Sequence, residues 1–206
     1  MKLNKKIGLM IMTVIVAGVG LFFHRENTLQ QEAMQQSIAG KILRFHVLAN
    51  SDSDEDQALK KQVRDAIGAY MEPYLEESDS IEMTRAIVSQ RMEEIVETAE
   101  QTIASRGYDY PVEAQLTHTD FPVKTYGDYT FPAGEYEALE VTIGEGAGHN
   151  WWCVLYPNMC FRGSVYEVVE KDAKEALQEV LSAEEYADIF NNGNVEIRLR
   201  FLDLFK

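Results

Sequence analysis

Basic residues are scarce in this sequence of 206 residues. It contains 19 lysines and arginines against 34 aspartates and glutamates, which gives a formal net charge of −15 at pH 7. The only basic cluster, Lys2, Lys5 and Lys6, lies at the N-terminus. Because an acidic surface repels polyanions, this composition excludes nucleic acid and anionic lipid as partners of the folded part. The charge alone identifies no other partner.

Cysteine and tryptophan are also rare, with two of each, and all four fall between residues 151 and 160. In an exported chain, two cysteines favour a structural disulfide over a redox or metal site. Cys153 and Cys160 are too far apart along a helix or a strand to pair, so the chain must fold back between them. Pro157 and Asn158 are suitable turn residues. We therefore expect a Cys153–Cys160 disulfide, with a reduced pair or a catalytic thiol as the alternative.

The N-terminal segment, residues 1–24, has the features of an export signal. Its lysines precede an uninterrupted apolar run from Ile7 to Phe23. This run is near the lower limit for a membrane-spanning helix and slightly long for a signal-peptide core, so both cleavage and retention as an anchor stay open. Either outcome places the rest of the chain outside the cytoplasm, because the basic end stays inside. Membrane contact is expected only through residues 7–23.

Residues 25–40 are polar and rich in glutamine, which predicts a tether to a single domain at 41–206. Periodicity within that domain predicts the α+β class, with a mainly antiparallel sheet and packed helices. Residues 41–50 alternate between apolar and polar side chains, as a half-buried strand does. The same alternation predicts strands at 112–116, 139–143 and 195–201, and the glycine-rich residues 144–148 predict a hairpin loop.

Helical spacing predicts one helix ending before Pro73, a second between Ser80 and Gly107, and a third after Ser164. The first begins after the possible capping residues 51–54. Ser182 and Glu185 fit a capping box for a short further helix.

No motif for catalysis is found in the sequence. The four histidines lack the His-Glu-x-x-His arrangement of a zinc enzyme, and no Gly-x-Ser-x-Gly elbow is present. Asp52, Asp54 and Asp56 resemble the start of a calcium loop, but Gln57 and Val63 replace its required glycine and glutamate. Helix capping explains these carboxylates better. We expect no metal, no cofactor and no enzymatic activity, and the alternative function is an exported hydrolase acting on the cell envelope.

Candidate contact residues lie on the first strand and after it. Arg44 and His46 are predicted on its outward face, and Asn50 and Asp52 at the junction with the first helix. Adjacent residues of a strand point to opposite faces, so one of the two tryptophans is expected in the core and the other at an interface. The predicted partner-binding residues are Arg44, His46, Asn50, Asp52, Trp151 and Trp152.

Three blocks of the sequence resemble a known family, the stage II sporulation protein R of endospore-forming bacteria. They are residues 44–54 (RFHVLANSDSD) with Asp56-Gln57 and Val63-Arg64-Asp65, residues 131–138 (FPAGEYEA), and residues 150–155 (NWWCVL) through Cys160-Phe161. The second and third runs are long and unusual, which makes the resemblance specific. It extends over nearly the whole chain from Gly40 onward.

The resemblance implies a signalling protein that is exported from the forespore into the space between the two membranes of the sporangium. There it would be needed to activate a membrane-embedded aspartic protease, which processes the precursor of sigma factor E. The family supplies no catalytic residues to transfer, and its contact surface cannot be transferred residue by residue.

Overall fold

A computed structural model of the chain describes residues 2–76, 78–159 and 171–190. The chain divides into two compact units, the first ending at Ser37 and the second beginning at Ile38. Helix α1, Lys2–Ala39, accounts for the first unit, so most of the predicted tether is helical. Within the described ranges, no helix combines the length and the apolar character needed to cross a membrane. The predicted strand at 195–201 and the start of the predicted third helix lie outside the described residues.

A four-stranded sheet in the order β2-β5-β1-β6 forms the centre of the second unit. Strand β1 is parallel to β5 and antiparallel to β6, and β2 is antiparallel to β5. The prediction of an α+β fold with a mainly antiparallel sheet is confirmed, although the central parallel pair was not foreseen. The strands are β1 (Leu43–Leu48), β2 (Val112–Phe121), β3 (Lys124–Tyr126), β4 (Tyr129–Phe131), β5 (Gly134–Ile143) and β6 (Asn150–Tyr156), with β3 and β4 forming a separate hairpin.

Helices cover one face of the sheet and enclose the main core. The apolar stripes of α2 (Asp54–Leu75) and α4 (Met92–Ser105) pack against each other. Helix α2 also contacts β1, and α4 contacts β2. The helices are α2 (Asp54–Leu75), α3 (Ile81–Gln90), α4 (Met92–Ser105), α5 (Lys171–Val180) and α6 (Ala183–Phe190). Buried core residues include Phe45, Val47, Leu59, Val63, Ile67, Ile95, Ala99, Ile103, Leu139 and Val141.

Strand β1 is buried on both faces, which corrects the prediction of a half-buried strand. Phe45 and its apolar neighbours face the helices, whereas Arg44 and His46 face the other way and are still only 0% and 2% exposed. Aromatic side chains from β2, β4 and β5 cover them, chiefly Phe121, Phe131 and Tyr136. Polar side chains at alternate positions therefore indicate a second, polar–aromatic layer here and not a solvated face.

Two helix boundaries also differ from the predictions. Helix α2 continues through Pro73, because Met71 and Leu75 are both buried and keep its last turn packed on the core. The predicted second helix is divided at Arg91 into α3 and α4. The capping predicted for residues 51–54 is confirmed at Ser53, which accepts a hydrogen bond from the amide of Asp56. Ser80, which precedes the predicted second helix, also acts as a cap and accepts a hydrogen bond from the amide of Met83.

The Ser182–Glu185 capping box is confirmed as well. The amide of Ser182 donates to Glu185 Oε2 over 2.6 Å, and the amide of Glu185 donates to Ser182 Oγ over 3.3 Å. The same Glu185 carboxylate pairs with Lys41 Nζ at 2.5 Å, which fixes the start of α6 next to the beginning of β1.

Residues 144–149 do not form the predicted hairpin. Strands β5 and β6 are separated by β1, so their connection crosses over the end of β1. The amide of Gly148 donates to the carbonyl of Ala49 over 2.9 Å, and the amide of Ala147 donates to that of Asn50 over 3.2 Å. The loop therefore covers the place where β1 leaves the sheet.

Candidate functional site

The predicted contact residues are not brought together at one site. Three lie on or under the outward face of the sheet, two lie at the junction between β1 and α2, and one faces the helices. In that order they are Arg44, His46 and Trp152, then Asn50 and Asp52, then Trp151. Their role in partner binding stays a prediction.

Arg44 lies in an aromatic enclosure. Its guanidinium carbon is 4.4 Å from the centroid of the Phe121 ring, and it is 5.2 Å and 5.1 Å from those of Phe131 and Tyr136. Nε donates to the carbonyl of Cys153 over 3.0 Å, and Nη2 donates to the Tyr126 hydroxyl over 3.1 Å. Cation–π attraction to several rings thus offsets part of the cost of burying the charge. The prediction that Arg44 lies at the surface is wrong, because these rings cover it completely.

His46 is next to Arg44 on the same face and is also buried, so its predicted surface placement is wrong too. Its Nε2 lies 2.9 Å from Glu140 Oε2, and its ring stacks on Trp152 with 4.9 Å between centroids. Burial lowers the pKa of His46, and the positive charge of Arg44 lowers it further, while Glu140 raises it in opposition. Since burial is the largest of these effects, the neutral imidazole is favoured.

The two tryptophans do point to opposite faces, as predicted from strand geometry. Trp151 is 7% exposed and packs edge-on against Phe45 in the core, with the Arg64 guanidinium 4.9 Å from its ring. Trp152 is half-buried on the outward face and meets Phe121 edge-on at 4.6 Å. Trp152 is therefore the tryptophan that reaches solvent.

The junction between β1 and α2 is built around the buried carboxylate of Asp56. Its Oδ2 accepts hydrogen bonds from Asn50 Nδ2 over 2.9 Å and from Ser51 Oγ over 2.5 Å. The hydrogen bond from Ser51 is the largest of several that lower the pKa of Asp56, against the opposing effect of burial. Asp56 thus stays ionised at the N-terminal end of α2, where the helix dipole favours a negative charge.

The glycine-rich loop attaches to this junction through side chains as well. Asn50 Oδ1 accepts from the amide of Glu145 over 3.0 Å, and Asp52 Oδ1 accepts from the amide of His149 over 2.6 Å. Asp52 Oδ1 is also hydrogen-bonded to the ring Nδ1 of His149. The backbone hydrogen bond from His149 is the main cause of the lowered pKa of Asp52. Asn50 and Asp52 therefore hold two chain segments together.

Two lysines that contact these residues, Lys60 and Lys124, were not predicted. Lys60 is buried and donates from Nζ to Gln57 Oε1 and to the carbonyl of His149, each over 2.6 Å. Burial is the main cause of its lowered pKa. Lys124 of β3 lies with Nζ 5.5 Å from the centroid of the Trp152 ring. Helical spacing could have placed Lys60 near the apolar stripe of α2, but no sequence signal pairs Lys124 with Trp152.

Cys153 lies in the core at 1% exposure, on the helix-facing side of β6. The predicted turn follows at Pro157–Asn158, where the amide of Met159 donates to the carbonyl of Val154 over 3.2 Å. Cys160 lies outside the described residues, so the disulfide stays a prediction.

Among the described residues, the polar groups at the junction between β1 and α2 make hydrogen bonds that stabilise the fold. The carboxylates at 52 and 56 accept hydrogen bonds that fix the loop and the helix cap. Within the ranges that the structure describes, no group of three or more histidine, cysteine, aspartate or glutamate side chains could hold a metal ion. The arrangement is suited to presenting a rigid surface.

Comparison with known proteins identifies relatives by sequence. The profile of the family described as Stage II sporulation protein R (spore_II_R) matches residues 39–166. Stage II sporulation protein R of Bacillus subtilis (strain 168) is 36% identical over 166 residues, which cover 79% of this chain and 74% of the relative. No solved structure matches the chain.

Proposed function

This chain belongs to the stage II sporulation protein R family, and we propose that it acts as an exported signalling protein of sporulation. In this proposal it leaves the forespore through its N-terminal segment and reaches the space between the two membranes. There it binds the outward-facing part of a membrane-embedded aspartic protease. The protease then processes the precursor of sigma factor E.

The observation that carries the proposal is the extent of the family match. Residues 39–166 include β1 to β6 and α2 to α4, which form the sheet and its helical layer. The similarity therefore falls on the folded domain and supports a function for its surface. The acidic composition supports a protein partner, because it disfavours polyanionic ones.

A signal of this kind acts through differential affinity. The domain must bind the active arrangement of the protease more tightly than the inactive one, because only that difference shifts the equilibrium between them. A rigid sheet face suits this task, since little conformational entropy is lost when it binds. No bond needs to be made or broken by the domain itself.

The competing function, an exported hydrolase, loses one of its candidate residues. A thiol nucleophile must be reachable by substrate and is favoured by an electropositive, partly exposed setting. Cys153 instead lies within the core cluster with Phe45 and Leu155. Its position therefore supports a structural role.

The test is reconstitution in a host that does not sporulate. The full chain, the membrane protease and the sigma precursor are expressed together, and processing of the precursor is followed by immunoblot. We expect processing only when the chain is present with its export segment. Processing that proceeds equally without the chain would contradict the proposal.

Dose dependence separates a ligand from a catalyst. Variants that weaken binding should recover processing when more folded protein is supplied, because occupancy depends on concentration. A carboxylate or thiol whose conservative replacement stops processing at every dose, with binding intact, would show that the protein is an enzyme.

A further inference from the structure

The outward face of the sheet carries a rigid aromatic–cationic surface, which we call the Trp152 surface and define as Trp152, Val123 and Lys124. Trp152 is held from below by His46 and from the side by Phe121. Val123, which directly precedes Lys124 in the chain, is 59% exposed. Tryptophan fixed in this way is a frequent anchor of protein interfaces, because little freedom remains to be lost on binding.

Lys124 at this surface and the buried Arg44 are close enough for their charges to interact, and neither is paired with a carboxylate of the described residues. Arg44 donates to a carbonyl and a hydroxyl, and its buried Nη1 has no hydrogen-bond partner among the residues that the structure describes. Within the described residues, neither Arg44 nor Lys124 forms a salt bridge. Burial lowers the pKa of Lys124, and the positive charge of Arg44 lowers it further. Each cation therefore raises the energetic cost of the other.

Glu140, the acidic side chain that pairs with His46, is already engaged. Glu140 directs Oε2 to His46 Nε2, and its Oε1 accepts from Gln115 Nε2 over 3.0 Å. An unneutralised pair of cations is unusual in a chain with 34 acidic and 19 basic residues. Since no carboxylate of the described residues pairs with these two cations, an external anion next to an apolar group would complement this surface.

We propose that the Trp152 surface binds a peptide segment of the partner protein in which an aspartate or glutamate is adjacent to an apolar side chain. The carboxylate lies against Lys124, above Arg44, and the apolar side chain packs on Trp152 and Val123. This inference rests on the proposed function for the identity of the partner, the outward part of the protease. A membrane is the less suitable occupant, because the rest of the domain is strongly acidic.

A peptide titration tests the surface directly. The probe is an acetylated and amidated hexapeptide of alternating glutamate and leucine, and its control has glutamine in place of glutamate. Both are titrated by calorimetry into the full-length protein in a nonionic detergent. We expect the glutamate peptide to bind about tenfold more tightly or better, since charge-assisted hydrogen bonds are stronger than neutral ones. Equal affinities would overturn the proposal.

Variants locate the binding. Lys124→Gln should lower the affinity for the glutamate peptide about tenfold. Trp152→Ala should lower the affinity for both peptides. Lys61→Gln, on the exposed side of α2, is the matched control and should bind as the wild type does. Loss of peptide binding in mixed micelles containing phosphatidylglycerol at the same salt concentration would mean that lipid headgroups occupy the site, and would also overturn the proposal.

The reconstituted processing assay provides the second arm. Lys124→Glu should abolish or strongly reduce processing at a dose where Lys61→Glu is fully active, with circular dichroism showing that both are folded. Unchanged processing by Lys124→Glu refutes the surface and leaves the proposed function standing. If wild-type protein triggers no processing, the proposed function fails, and the peptide titration still decides the surface by itself.

Discussion

The charge of Arg44 is stabilised by rings and neutral acceptors, with no salt bridge among the described residues. This packing depends on the flat guanidinium, which stacks on aromatic faces and donates in several directions at once. A lysine has neither property. Single residues of β1 therefore contribute to the fold through shape as well as through charge.

Replacing Arg44 with lysine should lower the free energy of unfolding by about 2–4 kcal/mol, because the ammonium loses the stacking and leaves an acceptor unsatisfied. Urea denaturation measures the change. The matched control is Arg106→Lys at an exposed position after α4, which should change stability by less than about 0.5 kcal/mol. Equal effects at the two positions would show that the enclosure around Arg44 contributes little.

The burial of His46 predicts a pH dependence. Its pKa in the folded protein is lowered, first by burial, from the model-peptide value of 6.5, so the unfolded chain takes up a proton before the folded one does. The contribution of His46 to the free energy of unfolding is therefore fully present above about pH 6.5, and it decreases as the pH drops toward the lower pKa of the folded state. This contribution changes by at most about 1.4 kcal/mol per pH unit.

The measurement compares the wild type with His46→Gln between pH 7.5 and 5. The difference in the free energy of unfolding between the two proteins should change in favour of the variant as the pH falls. A difference that stays constant across this range would mean that His46 takes up its proton equally in both states.

Among the elements, the connection from β5 to β6 depends most on close backbone contact. At Gly148, a Cβ atom would overlap the carbonyl of Ser51. At Gly144, where φ is +59°, it would overlap the Asn50 side chain. Glycine is needed at these two positions because the loop lies directly on the β1–α2 junction.

Gly148→Ala should therefore destabilise the domain by about 1–3 kcal/mol, since either the loop or the junction must move. The neighbouring Ala147 is exposed, and Ala147→Ser is the matched control with an expected change within about 0.5 kcal/mol. Thermal unfolding of the two variants checks the prediction. A Gly148→Ala protein as stable as the control would show that the loop can move away from Ser51 without cost.

For the helices and strands, the sequence predicts local features such as caps better than it predicts which elements lie next to each other in the fold. The cap within residues 51–54, the helix that follows Ser80 and the capping box at Ser182 were predicted from short-range patterns, and the structure confirms them. The glycine-rich loop was interpreted as a hairpin because local turn signals do not show that β1 lies between β5 and β6. The position of Arg44 was mistaken for the same reason, since its covering rings come from residues 121–136.

For the whole molecule, the proposal requires the domain and the protease to meet on the same side of a membrane. Deleting residues 2–23 should abolish signalling and leave the domain folded, because the remaining chain contains every strand that the structure describes. Processing in the reconstituted host measures the first effect, and circular dichroism of the purified truncated protein measures the second. Full processing by a truncated protein confined to the cytoplasm would contradict the requirement for export.

The central position of β1 affects how the domain folds. Both neighbours of β1 come much later in the chain: 94 residues separate His46 from Glu140, and 109 separate Arg44 from Cys153. High contact order slows folding, because large loops must close before their contacts form. A chain translocated from its N-terminus would expose β1 well before either neighbour arrived. We expect β1 to be the segment most prone to aggregation and most dependent on a chaperone during translocation.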